Sequence, residues 1–565
     1  MRAVPAEGPV HLRPRARLMA FMALAVSVLL VGCDGSGGSG GEAPGPNVQL
    51  SGQVTYDFVP LVADVAVPSA YLDYANTVAM PARGVQVAAI ADDGRELASG
   101  DADADGRYVL SVPKNTHIRL RAVARLYQAP GDGASWDFSI RDNTSPGYAD
   151  NQASIYAVQG EAFNTGVNHL SRNLHAASGW TGAGYGNTRS AAPFAILDQI
   201  FTAMQKVLAV DEDAIFAPMS TYWSVANRPG MMGDKAMGEI GTSHWQSATA
   251  HPGLYILGKE DVDTDEYDTG VIVHEWGHYF ESKFSRADSV GGPHGGGDVL
   301  DMRVAFGEAW GNSLAGMVRD DPVYADTQGP RQSQRGVVMD LDTIPAAEPR
   351  GWFNEASVQH VLYQMYKAPS IGFGAIYEVM IGQQKDTPAL TSLFSFATYL
   401  RAGVDAGAAG LIDTWLADIG TVNGADLDIW GANQDYPAFF DVAYKDFVVP
   451  IYRDLVPGVT MNNVCGTTAF GADRNKLGNY QFLRVTIDEA GAGDYDLTLE
   501  TDTAPAVDGW VYLSLYSSGV LIDGVGLGAG QMTDSSQVSL APGDYVLTVI
   551  HHQLTPCQTI SLTKK

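Results

Sequence analysis

Within the stretch VIVHEWGHYF, residues 271–280, two histidines stand four apart and a glutamate directly follows the first. On an α-helix such residues lie one above the other on one face, so His274 and His278 can turn both imidazoles toward a single ion. Glu275 is rotated about 100° from His274, which lets it reach a water on that ion without binding the ion itself. The competing reading is a buried helix whose histidines serve packing. A catalytic zinc usually takes three protein ligands and leaves a fourth position for water, so a third ligand is needed. Glu281 shares the face of His278, but three ligands from one straight helix converge poorly on a tetrahedral ion. Asp298 and Asp301 lie in or just after a glycine-rich loop. Glu308 is better placed, in VAFGEAWGNSLAGMV, with Ala305, Asn312 and Ala315 on its helical face and Gly311 adjacent. Small neighbours permit close approach to the His274 helix, and a glutamate on an apolar face is costly to bury unless something such as zinc pairs with it. An exposed helix glutamate is the alternative.

The elements that must hold these residues follow from periodicity. DTDEYDTG precedes the His274 helix and supplies Asp268 or Thr269 as its N-cap. The acidic run Asp261, Asp263, Asp265, Glu266 and Asp268 could hold calcium, although spaced carboxylates before a helix also serve capping and solvation. Pro193 opens a helix, PFAILDQIFTAMQKVL, with apolar residues at helical spacing. Short strands follow at STYWSV, around GEIGTSHW and at GLYILG. After the motif come helical segments VAFGEAWGNSLAGMV, EASVQHVLYQMY, TSLFSFATYLRAG and GLIDTWLADIG. Strands first and helices afterwards make this region α+β. Upstream, VQLSGQVTY, GVQVAAIADDG, GRYVLSVP and HIRLRAVARL alternate as strands. The turn SGDADADGRYVL mimics half of an EF-hand loop, but Pro113 falls near the place of the terminal acidic ligand, so a β-turn is expected there. From about residue 456 the chain alternates as strands again.

HEWGHYF followed 30 residues after His278 by GEAWGN resembles the glutamate-zincin metallopeptidases, which include thermolysin. The likeness is closest to the fungalysin branch, whose second motif reads Gly-Glu-Gly-Trp-Ser-Asp. It covers roughly residues 190–450. The resemblance implies a zincin-like fold, His274, His278 and Glu308 as zinc ligands, and Glu275 as the general base of peptide hydrolysis. It also implies that GLYILG is the sheet edge to which an extended peptide substrate adds. The metzincin pattern fails, because Glu281 and Phe284 stand where it requires Gly and His. The exopeptidase motif Gly-x-Met-Glu-Asn is absent, which favours an endopeptidase. Three departures stand out. Asn312 replaces the aspartate that usually orients a ligand histidine. The transition-state histidine has only His360, inside a helix, and His294, in GGPHGGGD, as candidates. No inhibitory propeptide is evident, since a small β-domain resembling the carboxypeptidase regulatory-like sandwich stands in its place. The alternative from another class is a degenerate peptidase serving as a surface binding or adhesion lipoprotein.

The chain has 565 residues, too many for one core. Its formal net charge of −29 argues against nucleic acid as a partner, since phosphate binding needs a basic face. Arg13, Arg15 and Arg17 precede an apolar run from Leu18 to Leu30, which has the shape of an export signal. Leu30-Val31-Gly32-Cys33 resembles a bacterial lipobox and implies cleavage before Cys33 and lipidation of its thiol, anchoring the chain to the membrane of the cell envelope. Asp34 resembles the inner-membrane retention signal of enteric bacteria. DGSGGSGGEAPGP then reads as a tether. Cys465 and Cys557 remain, and an exported compartment permits a disulfide between them, with two free thiols as the alternative. The expected order is a signal peptide at 1–32, lipidated Cys33 and tether at 33–47, and a β-sandwich at 48–126. A zincin-like peptidase domain at 127–455 and a C-terminal β-sandwich at 456–565 follow.

Overall fold

The computed structural model describes residues 47–230, 232–247, 249–552 and 557–565; the expected signal peptide, Cys33 and nearly all of the tether lie outside them. A nine-stranded sheet forms the backbone of the fold. Its strands run in the order His244–Gln246, Gly253–Ile256, Met219–Trp223, Trp136–Arg141, His117–Gln128, Val85–Ala91 and Glu96–Asp101, with two short strands also paired to His117–Gln128. The strands Trp136–Arg141, Met219–Trp223 and Gly253–Ile256 are parallel neighbours, and antiparallel pairings extend the sheet on both sides. In His117–Gln128 the buried residues Ile118, Leu120, Ala122, Ala124 and Leu126 alternate with solvent-side neighbours such as Arg119 and Arg121, as a strand with one core face requires. This strand runs through position 126, so the N-terminal strands and those leading to the HEWGH motif share one sheet. A second sheet is centred on Asn47–Phe58. The turn after Asp101 is held by the Asp103 carboxylate, which accepts from the amides of Asp105 and Arg107.

Helices cover this sheet. Helix α1 (Ala192–Leu208) carries Pro193 in its first turn, where a missing amide proton costs nothing. Helix α2 (Thr269–Phe284) bears the HEWGH motif, and α3 (Met302–Arg319) bears Glu308. Every residue of α3 from Met302 to Val318 is buried. Helix α4 (Glu355–Lys367) packs on α3, and helices at Gly372–Ile381, Leu393–Gly403 and Ala406–Asp418 complete the layer. One hydrophobic core runs from Val48 in the N-terminal strands through α1–α4 to Ile451 and on to Tyr452, Leu477 and Val546. The C-terminal strands form a sandwich with its own core, including Leu483, Leu497, Leu513, Leu547 and Ile560. Its two sheets have the orders Tyr452–Asp454, Tyr480–Ile487, Gly543–His552, Trp510–Ser517, Val520–Leu527 and Met461–Val464, Gln558–Lys564, Gly493–Thr501, Thr533–Leu540. Cys465 and Cys557 are disulfide-bonded, joining the end of one strand of this sandwich to the start of its neighbour. The fold class is therefore α+β: a zincin-like helical core with its sheet, flanked by β-sandwich regions. Among the described residues, no helix is long and apolar enough to cross a membrane.

Three local expectations need correction. GLYILG is not the sheet edge, because His244–Gln246 folds back antiparallel and covers Gly253–Ile256. Asp268 occupies the N-cap position of α2, yet its carboxylate makes no cap bond; it accepts instead from the amide (2.7 Å) and hydroxyl (2.9 Å) of Thr327. The helix Gly372–Ile381 is an addition to the expected elements, since its run of apolar residues shows no clear helical period.

Candidate metal centre

Helices α2 and α3 cross at glycines. A β-carbon on Gly277 would lie 3.1 Å from the Cα of Gly311, and the indole Nε1 of Trp310 donates to the carbonyl of Gly277 at 3.1 Å. This close crossing brings Glu308 to the histidines of α2. The Nε2 atoms of His274 and His278 are 3.1 Å apart, and Glu308 Oε2 lies 3.5 Å from each. A tetrahedral zinc with bonds of about 2.0–2.1 Å needs ligand atoms about 3.3–3.4 Å apart, so the triangle has the required size. The hydrogen bonding argues the same way. His274 Nδ1 faces the side-chain oxygen of Asn312 at 2.8 Å, and His278 Nδ1 faces Glu281 Oε2 at 3.6 Å. With each Nδ1 turned toward an oxygen acceptor, neutral rings would present both Nε2 lone pairs to one another and to the Glu308 carboxylate. Such a convergence is satisfied by a proton shared among the three groups or by a cation bound between them. The His, His and Glu donor set is compatible with a divalent metal, commonly zinc.

Glu275 is buried beside this triangle, with Oε2 held at 2.8 Å by the backbone amide of Trp245 in the edge strand. Burial pushes the Glu275 carboxyl above the usual range, with the two histidines partly offsetting it. Burial alone would also raise Glu308, but the His278 charge and hydrogen bonds from His274, His278 and His294 outweigh it and hold Glu308 well below that range.

His294, on the glycine-rich loop, belongs to the site. Its Nε2 lies 3.2 Å from Glu308 Oε2 and 3.8 Å from Glu355 Oε2, its Nδ1 faces the carbonyl of Gly292 at 3.1 Å, and its side chain is 29 % exposed. Burial disfavours its charge, but the hydrogen bond and charge of Glu308 prevail and raise it to about 9. His360 is not brought to the site: its Nδ1 faces the carbonyl of Leu341 at 3.1 Å. Asp298 pairs with Lys476 at 2.9 Å, and Asp301 caps α3 and pairs with Arg303 at 2.8 Å. The sequence reading missed Glu355, Gln359 and Trp245. Trp245 acts through its backbone, which no side-chain pattern can announce. Glu355 sits in the first turn of α4, where an acidic residue reads as a favourable helix start, and only the fold shows it buried.

The acidic run splits. Glu266 forms a buried ion pair with Arg189, whereas Asp263 and Asp265 join Asp326 from the strand Val323–Gln328, with one oxygen of each within 4.8 Å of the others. Asp263 Oδ1, Asp265 Oδ1, Asp326 Oδ1 and Gln332 Oε1 are buried without a hydrogen-bond partner among the described residues. Ser243 donates to the other oxygen of Asp265. Burial raises Asp263 to about 6, and burial with the charge of Asp263 raises Asp326 to about 7.

No family model matches the chain, and no curated protein matches it. Among solved structures, the chain is similar to the pre-peptidase C-terminal domain of a collagenase from Bacillus anthracis, at 10% identity and a TM-score of 0.16, over 20% of this chain and 93% of that one. It is also similar to a family 6 carbohydrate-binding module, at 15% identity and a TM-score of 0.13, over 20% of this chain and 99% of that one. At these scores the likenesses carry no argument, and the site's own geometry must bear the functional reading.

Proposed function

We propose that the chain is a zinc-dependent metalloendopeptidase of the glutamate-zincin type, with His274, His278 and Glu308 as ligands and Glu275 as general base. The observation that carries this reading is the convergence of His274 Nε2, His278 Nε2 and Glu308 Oε2 within 3.1–3.5 Å, next to a buried glutamate that is not part of the triangle. A zinc ion bound there supplies Lewis acidity toward a water and a peptide carbonyl. Glu275, fixed through Oε2 by the Trp245 amide, keeps its other oxygen free to take the proton of the attacking water and deliver it to the leaving amine. Its raised proton affinity suits a group that must hold that proton between the two transfers. His294 Nε2, beside Glu308, is positioned to hydrogen-bond the carbonyl oxygen as negative charge develops on it.

The edge strand His244–Gln246 suits an extended polypeptide substrate. Backbone groups along a strand alternate in direction, and the amide of Trp245 points to Glu275, so its carbonyl shares the cleft side and can accept a substrate N–H. Three features of the sequence favour a degenerate binding protein: Asn312, the lack of an evident histidine for the transition state, and the two flanking β-sandwich modules. His294 answers the second, and the partners of Asn312 described below answer the first.

For the acidic cluster the reading is calcium. Three converging carboxylates, each with a buried oxygen that has no hydrogen-bond partner among the described residues, suit a hard cation that takes six to eight oxygen ligands. Export and a lipid anchor at Cys33 are part of the proposal; the Cys465–Cys557 disulfide supports an oxidising compartment. The deciding experiment compares the wild type with Glu275→Gln. One zinc per chain is expected in both, and proteolysis only in the wild type. A wild type without zinc, or equal activity in the two, overturns the reading.

A further inference from the structure

Asn312 stands where direct contact of a carboxylate with His274 is usual in the family the chain resembles, and the structure places a carboxylate one residue farther out. Asn312 Oδ1 faces His274 Nδ1 at 2.8 Å. Its Nδ2 donates one hydrogen to Glu355 Oε1 at 2.6 Å and the other to Gln359 Oε1 at 2.8 Å. Asn312, Glu355 and Gln359 are all at least nine-tenths buried, so water cannot replace these bonds cheaply.

We infer that Glu355 is the positioning residue for His274, acting through the Asn312 amide to fix which ring nitrogen carries the proton. An amide side chain can be turned over, exchanging its oxygen and nitrogen. Reversing Asn312 would set its oxygen against the Glu355 carboxylate at 2.6 Å, acceptor against acceptor. Burial raises the Glu355 carboxyl and the His294 charge partly offsets this; in its ionised form it offers no donor to relieve the clash, so the Asn312 oxygen faces His274. That oxygen accepts a hydrogen bond from the Nδ1–H group, and Nε2 keeps its lone pair toward His278 and Glu308. Gln359 alone cannot do this, because its own amide can turn over and offer a donor instead. The short, charge-assisted contact to Glu355 also polarises Asn312 and makes its oxygen a better acceptor. Negative charge thus reaches His274 in two links instead of one. The inference rests on the metal-centre reading, and it assigns Glu355 a role that Asn312 cannot perform by itself.

The test moves the charge by one link. Zinc dissociation constants are measured by competition with a chelator for wild type, Glu355→Gln, Asn312→Asp and the double variant, with circular dichroism as a check on folding. Glu355→Gln is expected to weaken zinc by about 10- to 100-fold, the usual effect of losing a partner behind a ligand histidine. Asn312→Asp alone sets two carboxylates against each other and is expected to lose affinity as well. In the double variant the amide introduced on α4 donates to the carboxylate introduced on α3, which accepts directly from His274, so affinity is expected to return to about the wild-type value. Rescue of this kind is foreign to two merely structural defects, which would accumulate. A double variant weaker than either single, or a Glu355→Gln protein that binds zinc as tightly as wild type, overturns the relay. A wild type that binds no zinc overturns the metal centre itself, which separates the two failures.

Discussion

Gly311 lies directly against the ring of His274: a β-carbon on it would sit 2.7 Å from Nδ1 and 2.8 Å from Cε1. The glycine is required by this approach, not by its backbone angles, and it keeps the ring in line with Asn312 on one side and the ligand triangle on the other. Gly311→Ala is expected to push the ring away, weakening zinc by at least about tenfold and destabilising the protein by about 1–3 kcal/mol. Chelator competition and thermal unfolding check the two effects. Unchanged zinc affinity would show that the ring has room to move.

His294 and His360 separate by function. His294→Ala is expected to lower kcat by about 10²- to 10³-fold, the range seen when one donor to a developing oxyanion is removed, while zinc stays bound. His360→Ala, at a ring that faces the Leu341 carbonyl and not the metal site, is expected to leave kcat near the wild-type value. Metal content and steady-state kinetics on the two variants decide it. An active His294→Ala enzyme would remove this residue from the mechanism.

The sequence made half of this site legible. His274 and His278 could be read because a helix turns an i, i+4 spacing into a shared face, and Glu308 because small residues around it announce close packing. His294 was harder: a histidine among glycines has no periodicity, and only the folded loop brings it to 3.2 Å from Glu308. Glu355 and Asn312 are 43 residues apart, so their contact depends on α4 packing against α3, which neither helix reveals alone. The same holds for the edge strand. GLYILG had the stronger apolar pattern, but a central strand is more apolar than an edge, and the weaker segment His244–Gln246 took the outside position.

The Trp245 amide gives a test of how Glu275 is held. Proline is tolerated on edge strands and lacks only the N–H, so Trp245→Pro removes the 2.8 Å bond to Glu275 Oε2. Trp245→Ala removes the indole, which sits edge-on to Tyr279, and keeps the amide. A hydrogen bond to a charged group contributes about 1.5–3 kcal/mol, so the proline variant is expected to be about 10- to 100-fold slower in kcat than the alanine variant, with zinc retained in both. Equal rates in the two would show that the amide does not position the base.

The acidic cluster gives a pH dependence with a definite sign. Asp263 and Asp326 are raised to about 6 and about 7 by burial, the second also by the charge of Asp263, and Asp265 and Asp268 are raised further by burial and their neighbours. Without calcium, the folded protein therefore holds more protons than the unfolded chain from about pH 4 upward, and its stability falls as pH rises through 6 and 7. Protein stripped of metal and reloaded with zinc alone is expected to melt at a lower temperature at about pH 8 than at about pH 5.5, on either side of the two raised carboxyls. Calcium needs the ionised carboxylates, so its addition is expected to raise the melting temperature strongly at the higher pH and little at the lower. Asp263→Asn removes one carboxylate from the cluster and is expected to flatten the pH dependence while weakening the calcium response. A calcium-independent melting temperature at the higher pH, in protein that still binds zinc, would rule calcium out of this cluster and leave its carboxylate oxygens to be satisfied by protonation or water.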